Sequence, residues 1–283
     1  MKEIEALKAI AEKFNLVSSS KLTDEERCQL ACDRHNKEQG TLNESDGYNC
    51  SECNNNGFRY KPYYDEVYQI WTEMAVPCKC QKTRKVLRRL KRSGLQDAIH
   101  KTFDSYEADT EWRTKLKGMV MQWLSEKGKW LYIGGAPGSG KTHLCIAAML
   151  KLLKQGKEVY YMLWREDVPK LKSLVTEHEE YDKMISELKN VDVLYIDDMF
   201  KTGRTENGAR QRPTVADINI AFEILNHRYV TNKVTVITSE CSITELIDID
   251  QALAGRIVEK SGSYCVSLKG KDKDWRLKGG TTL

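Results

Sequence analysis

From Trp130 to the C-terminus, short runs rich in β-branched and aliphatic residues alternate with stretches whose apolar positions recur at helical spacing. Trp130–Ile133 reads as a buried strand, and Glu158–Leu163, Val191–Ile196, Val234–Thr238 and Tyr264–Leu268 read as four more. Between them, Lys141–Gln155 has the helical period and stops at Gly156. Polar helices run to about Leu188, and Thr214–Tyr229 starts behind Pro213. Ser242-Ile-Thr-Glu245 has the capping-box spacing that opens another helix. This alternation predicts an α/β fold built on a parallel sheet flanked by helices.

Upstream the pattern changes. Ile4, Leu7, Ile10, Ala11 and Phe14 fall at helical spacing among Lys and Glu and predict one amphipathic helix, either docking a partner or packing on its neighbour. Gln81–Ser93 holds Lys82, Arg84, Lys85, Arg88, Arg89, Lys91 and Arg92 with no acid, while Val86, Leu87 and Leu90 form a thin apolar side. It reads as a basic linker helix ended by Gly94, lying on a polyanion or merely solvated. Leu95 to Lys129 reads as a helical connection. The expected division is 1–81, an N-terminal helix with a metal-binding domain; 82–110, a basic helical linker; and 111–283, the α/β domain.

The 283 residues carry 45 Lys plus Arg against 41 Asp plus Glu, a net charge of +4, so no field from the whole molecule drives it onto nucleic acid or membrane. Any basic site is local. Apolar runs such as Cys145–Leu150 and Val193–Ile196 fall far short of the roughly 18 residues a membrane span needs, which excludes a membrane partner of that kind. Glu3, Glu5 and Glu12 interrupt the stretch where a signal peptide would be apolar, so the expected address is cytoplasmic.

Six of the nine cysteines precede residue 81, and four of them form two close pairs, Cys50-x-x-Cys53 and Cys78-x-Cys80, with 24 residues between. Two chelating turns brought together give a tetrahedral thiolate cage suited to structural Zn2+, which adds folding free energy to a segment with few large aliphatics. Cys28, Cys32 and His35 are competing ligands, and free thiols are the plain alternative.

Directly after the first strand stands Gly135-Ala136-Pro137-Gly138-Ser139-Gly140-Lys141-Thr142, a full G-x-x-x-x-G-K-T match in strand–loop–helix context, followed by His143. Loop amides and the helix N-terminus form a donor cluster for phosphates. Lys141 supplies a point charge to the β- and γ-phosphates of ATP, and Thr142 a hydroxyl to Mg2+. The third strand delivers Asp197 and Asp198 at its C-terminal end, where open α/β sheets place ligand groups. Asp197 is expected to hold the Mg2+ water shell and Asp198 to orient or deprotonate the attacking water. Thr238 and Ser239 end the fourth strand and could position that water. Arg256 is a candidate arginine finger for a neighbouring subunit's site, with a surface ion pair as the alternative; Arg228 is a weaker candidate.

The cysteine pairs, the basic helix ending in Ser93-Gly94-Leu95, the stretch Gly134–Leu144, Leu194–Lys201 and Gly255-Arg256-Ile257 together resemble the bacterial and phage helicase loaders of DnaC/DnaI type. Thr238-Ser-Glu240 and Lys273-Asp-Trp-Arg276 are most similar to prophage-encoded members. The resemblance implies a P-loop AAA+ ATPase whose N-terminal zinc domain engages the hexameric replicative DNA helicase, while its C-terminal domain binds ATP and single-stranded DNA and assembles as a homo-oligomer with ATP or helicase. It also implies Ser239 as the first sensor and Arg256 as the finger. Glu240 stands where many relatives have Asn, Asp198 where many AAA+ proteins have Glu, and 15 residues follow Leu268, too few for a helical lid. The shorter Asp198 side chain implies slow, partner-stimulated turnover. Lys201, Arg204, Arg210 and Arg212, with the basic helix, are candidate DNA contacts. A transposition-helper ATPase and a nucleotide-gated DNA-binding adaptor with little turnover are the competing readings.

Overall fold

A computed structural model describes residues 22–92, 97–126, 128–135, 137–203 and 211–268, with Leu95, Glu206 and Gly270. The expected N-terminal helix, Gly94, Ala136, Arg204, Arg210 and the 273–276 motif lie outside the described residues. The chain divides into two compact units, Met1–Gln81 and Lys82–Leu283.

In the first unit, α1 (Asp24–Lys37) opens with a capping box in which Thr23 and Glu26 satisfy each other's backbone donors. A short α2 (Leu42–Asp46) follows. Then β1 (Phe58–Asp65) and β2 (Ile70–Pro77) form an antiparallel hairpin, paired from Phe58↔Pro77 to Asp65↔Ile70. The pattern of hydrophobic positions does not announce this hairpin, because charged residues and Pro62 interrupt it. A two-stranded ribbon is all edge, so a proline is tolerated there. Its open end joins the two cysteine pairs: Cys53 lies just before β1, Cys78 just after β2, and the Cys78 amide donates to the Gly57 carbonyl at 2.9 Å.

The second unit takes up α3 (Cys80–Arg92) from Lys82 onward, and this helix differs from the expected linker. Val86, Leu87 and Leu90 are buried, and Lys82, Lys85 and Arg89 pair with Glu158, Glu187 and Asp167, each at 2.5 Å. Much of the positive charge is therefore spent on acids of its own unit. The connection to the sheet is not one helix either. It is a 3-10 turn at Ala98–His100, an irregular stretch, and α4 (Glu111–Trp123). Thr102 and Ser105 accept each other's backbone N–H on their hydroxyls, a local bonding that competes with helix.

Next come β3 (Leu131–Gly135), α5 (Lys141–Lys154), β4 (Val159–Leu163), α6 (Trp164–Ser173), α7 (His178–Asn190) and β5 (Val193–Met199). The chain continues through α8 (Val215–Val230), β6 (Val234–Ser239), α9 (Ile243–Ile249), α10 (Gln251–Ser261) and β7 (Cys265–Leu268). The five strands pair in parallel in the order β4-β5-β6-β3-β7. Helices bury the sheet, so Leu131, Ile133, Leu194, Ile196 and Ile237 are all fully enclosed. The neighbours β3 and β6 bring the loop after β3 and the end of β5 to one rim, where the strand order reverses. At the sheet edge, the Arg89 guanidinium donates to the Tyr161 carbonyl of β4 and lies 4.4 Å over the Tyr160 ring.

Candidate functional site

The loop between β3 and α5 depends on glycine at both ends. Gly135 has φ +101°, and a Cβ there would sit 2.0 Å from the Leu268 carbonyl oxygen. Gly140 has φ +83°, and its Cβ would meet the Tyr106 ring at 2.8 Å. Any side chain at either position strains the backbone and displaces a neighbour. Lys141 opens α5, is buried, and donates to the Gly135 carbonyl at 2.9 Å; burial pulls its ammonium below the ordinary lysine value. Pro137, Gly138, Ser139, Gly140, Lys141, Thr142 and His143 line a cleft of about 450 Å³ together with Asp197, Asp198, Lys201 and Glu240. His143 turns back to the preceding segment, 2.9 Å from the Thr102 carbonyl and edge-on to Tyr106. Burial lowers its pKa below the usual 6.5.

Asp197 is buried under the phosphate loop and accepts four hydroxyls. Thr142, Tyr195 and Thr238 donate to Oδ1 at 3.1, 2.7 and 2.5 Å, and Tyr161 donates to Oδ2 at 2.8 Å. Burial and the charge of Asp197 push both phenols far above their usual value, so they remain donors. An irregularity in the β5–β6 register between Ile196 and Met199 then re-aims the chain, and Asp198 takes φ +55°. Its carboxylate pairs with Lys201 at 2.6 Å, while Glu240 approaches the same ammonium at 3.2 Å. Burial alone would lower the Lys201 pKa, but these two carboxylates hold it raised. Lys201, assigned from sequence to a DNA-contacting loop, lies instead in the nucleotide cleft.

At the end of β6 the sequence singles out Ser239, yet its hydroxyl donates to the Met199 carbonyl at 2.6 Å and accepts from the Cys241 amide at 3.0 Å. Thr238 is the β6 residue that touches Asp197, and its oxygen also accepts the Asp198 amide at 3.1 Å. Alternation along a strand sends neighbours to opposite faces, so the two cannot share the role. Arg256 is not drawn to the cleft of its own chain. It donates to Asn226 Oδ1 at 3.0 Å and the Ala252 carbonyl at 2.9 Å, with its guanidinium 4.8 Å over the Phe222 ring. Arg228 cannot reach another subunit: it is fully buried and donates to Thr235 and to the carbonyls of Leu188, Lys189 and Val191.

In the first unit, Cys50, Cys53, Cys78 and Cys80 are all buried, with sulfurs mutually within 4.8 Å. Cys50–Cys78 and Cys53–Cys80 separations are 3.8 and 3.6 Å. A tetrahedron with metal–sulfur bonds of about 2.3 Å has edges of about 3.8 Å, so the cluster is compatible with Zn2+. The Gly57 amide donates to Cys53 Sγ at 3.2 Å, the kind of outer contact that orients a thiolate ligand. Cys28, Cys32 and His35, the competing candidates, sit on α1 outside this cluster, with the Cys32 thiol pushed up to about 11 by burial and by Cys28. Among the described residues no other group of three or more such ligands comes together.

Sequence reasoning misses Tyr161 and Tyr195 as site residues, names Thr238 only beside Ser239 as a group to position water, and gives Lys201 to DNA. A strand register of Tyr161↔Tyr195 and Leu163↔Asp197 brings the phenols to the carboxylate, and register is not written locally in any of these segments.

Residues 71–281 match the family described as IstB-like ATP binding protein. The chain is 30% identical to the uncharacterized protein YqaM of Bacillus subtilis (strain 168) over 68% of this chain, spanning 63% of that relative's length. It is 30% identical to the phage-like element PBSX protein XkdC of the same organism over 82% of this chain and 87% of the relative. A crystal structure of the DnaC helicase loader shares the fold, with a TM-score of 0.50, 22% identity, and coverage of 61% of this chain and 98% of that one. No helix among the described residues is long and apolar enough to cross a membrane.

Proposed function

The chain belongs to the IstB-like ATP binding protein family, and from that premise we propose that it is an ATP hydrolase that loads a hexameric replicative DNA helicase onto single-stranded DNA. The observation that carries the reading is the pairing, on one chain, of a phosphate loop whose Thr142 hydroxyl meets Asp197 with a buried four-cysteine cluster in a separate unit. Relatedness to a phage-element protein and the fold of a helicase loader support it.

In this reading the amides of the 137–142 loop and Lys141 bind the phosphates of ATP. Thr142 and Asp197 would hold Mg2+, which when bound neutralises charge on the β- and γ-phosphates. Asp198 accepts a proton from the water that attacks the γ-phosphorus as the bond to the β–γ bridging oxygen breaks. The pair with Lys201 through Oδ2 makes Asp198 a weaker base, which fits a slow basal rate raised by a partner. Arg256 is assigned to a neighbouring protomer's site, where a planar guanidinium stabilises charge on the transferred phosphoryl. Ser239 acts through the backbone that positions β5, and Thr238 takes the direct contact. Zn2+ on Cys50, Cys53, Cys78 and Cys80 holds the first unit together; four protein ligands leave no open coordination position.

Size-resolved binding of wild type and Lys141→Ala to a bacterial replicative helicase hexamer, with ATP and with ADP, tests the loader reading. Zinc analysis of the complex completes it. A nucleotide-dependent complex that the substitution abolishes is the expected result. No complex with a cognate helicase under any condition overturns it in favour of the transposition-helper reading. Equal phosphate release and equal function in Asp198→Asn would instead leave a nucleotide-gated adaptor.

A further inference from the structure

We propose that Tyr161 and Tyr195 are positioning residues that fix the carboxylate of Asp197 for the cation of a bound nucleotide, an inference that rests on the ATPase reading. The Asp197 carboxylate takes four hydroxyls unevenly, Oδ1 accepting from Thr142, Tyr195 and Thr238 and Oδ2 from Tyr161. Thr142 belongs to the phosphate-loop side, whereas Tyr161, Tyr195 and Thr238 all belong to the sheet. Exchange of partners on the phosphate side therefore leaves three sheet-borne donors in place.

The two phenols differ from the threonine in what they constrain. Tyr161 and Tyr195 are register partners on β4 and β5, packed edge-to-face at 5.3 Å, and both hydroxyls reach the same side chain from below the cleft. Tyr161 holds Oδ2 and Tyr195 holds Oδ1, so the carboxylate plane cannot rotate without breaking one of these bonds. With exposures of 1% and 0%, neither ring can withdraw into solvent. Packing alone would be met by phenylalanine at both positions; only the hydroxyls explain the aim. Hydrogen-bond partners behind a metal-binding carboxylate are worth on the order of 10- to 100-fold in metal affinity.

The test uses the full chain with Tyr161→Phe and Tyr195→Phe, singly and together. The readouts are Mg2+ titration of ATP hydrolysis, binding of a fluorescent ATP analogue in EDTA, and thermal melting. Half-saturating Mg2+ should rise about tenfold in each single variant, with nucleotide binding in EDTA close to wild type. A lowered melting temperature with wild-type Mg2+ dependence would mean that the phenols only pack, and the proposal falls. Should Tyr195→Phe not fold, Tyr161→Phe, whose residue lines the cleft, decides the matter alone. Wild type without Mg2+-dependent hydrolysis or nucleotide binding would remove the ATPase reading first, and this proposal with it.

Discussion

Lys201 is the residue whose surroundings say most about restraint in this cleft. Its ammonium pairs with Asp198 and approaches Glu240, so the acid assigned to water activation shares a cation with a second carboxylate. Partly exposed pairs of this kind are worth up to about 1 kcal/mol, or roughly fivefold in rate. Lys201→Met should therefore raise phosphate release without a partner by about two- to fivefold, measured at saturating ATP. A fall would mean that Lys201 assists hydrolysis instead of holding it back. His143 gives a pH signature. Its folded pKa lies below 6.5, so the folded state loses stability relative to the unfolded chain as pH falls through that window and the ring is forced to charge. Melting of wild type and His143→Gln between pH 7.5 and 5.5 should show the wild type losing stability more steeply. The phosphate loop is legible from sequence because its chemistry is contiguous. The contacts of Lys201 and Thr238 are not, since they depend on which strands become neighbours.

Among the elements, the C-terminal end of α7 shows how a buried cation can serve structure. Arg228 on α8 donates to the carbonyls that end α7 and to Thr235 on β6, and burial draws its pKa down to about 9, still charged at neutral pH. Removing it leaves buried acceptors without donors, each worth about 1–3 kcal/mol. Arg228→Met should destabilise the fold by about 3 kcal/mol or more, read by urea unfolding, while the folded fraction keeps its affinity for ATP. The sheet helices and strands are legible because hydrophobic period and caps agree over long segments. The β1–β2 hairpin is not, because little of it faces a core, and its Tyr68 and Val67 tip is exposed. The basic character of α3 is plain in sequence, but its docking on Glu158, Glu187 and Asp167 is written in residues far along the chain.

At the scale of the whole molecule, separation into two units predicts separable losses. With Zn2+ assigned to the four thiols, chelation should unfold the first unit and, on the proposed loader function, abolish the proposed helicase binding, while the proposed ATP binding by the second unit persists. Circular dichroism and nucleotide titration on the same chelated sample check both halves, and parallel loss of ATP binding would contradict the separation. The α/β architecture is legible as a class from the alternation of elements, whereas the strand order is a long-range property that no segment encodes. The contact of Arg89 with the Tyr161 carbonyl has a consequence of another kind. β4 is an outermost strand, the kind of edge that templates pairing with a second chain, and α3 covers it with cationic side chains, Arg89 holding one of its carbonyls. Proteolytic removal of residues up to 92 should leave the nucleotide loop intact yet turn a well-behaved particle into one that self-associates edge to edge, with turbidity rising as protein concentration increases.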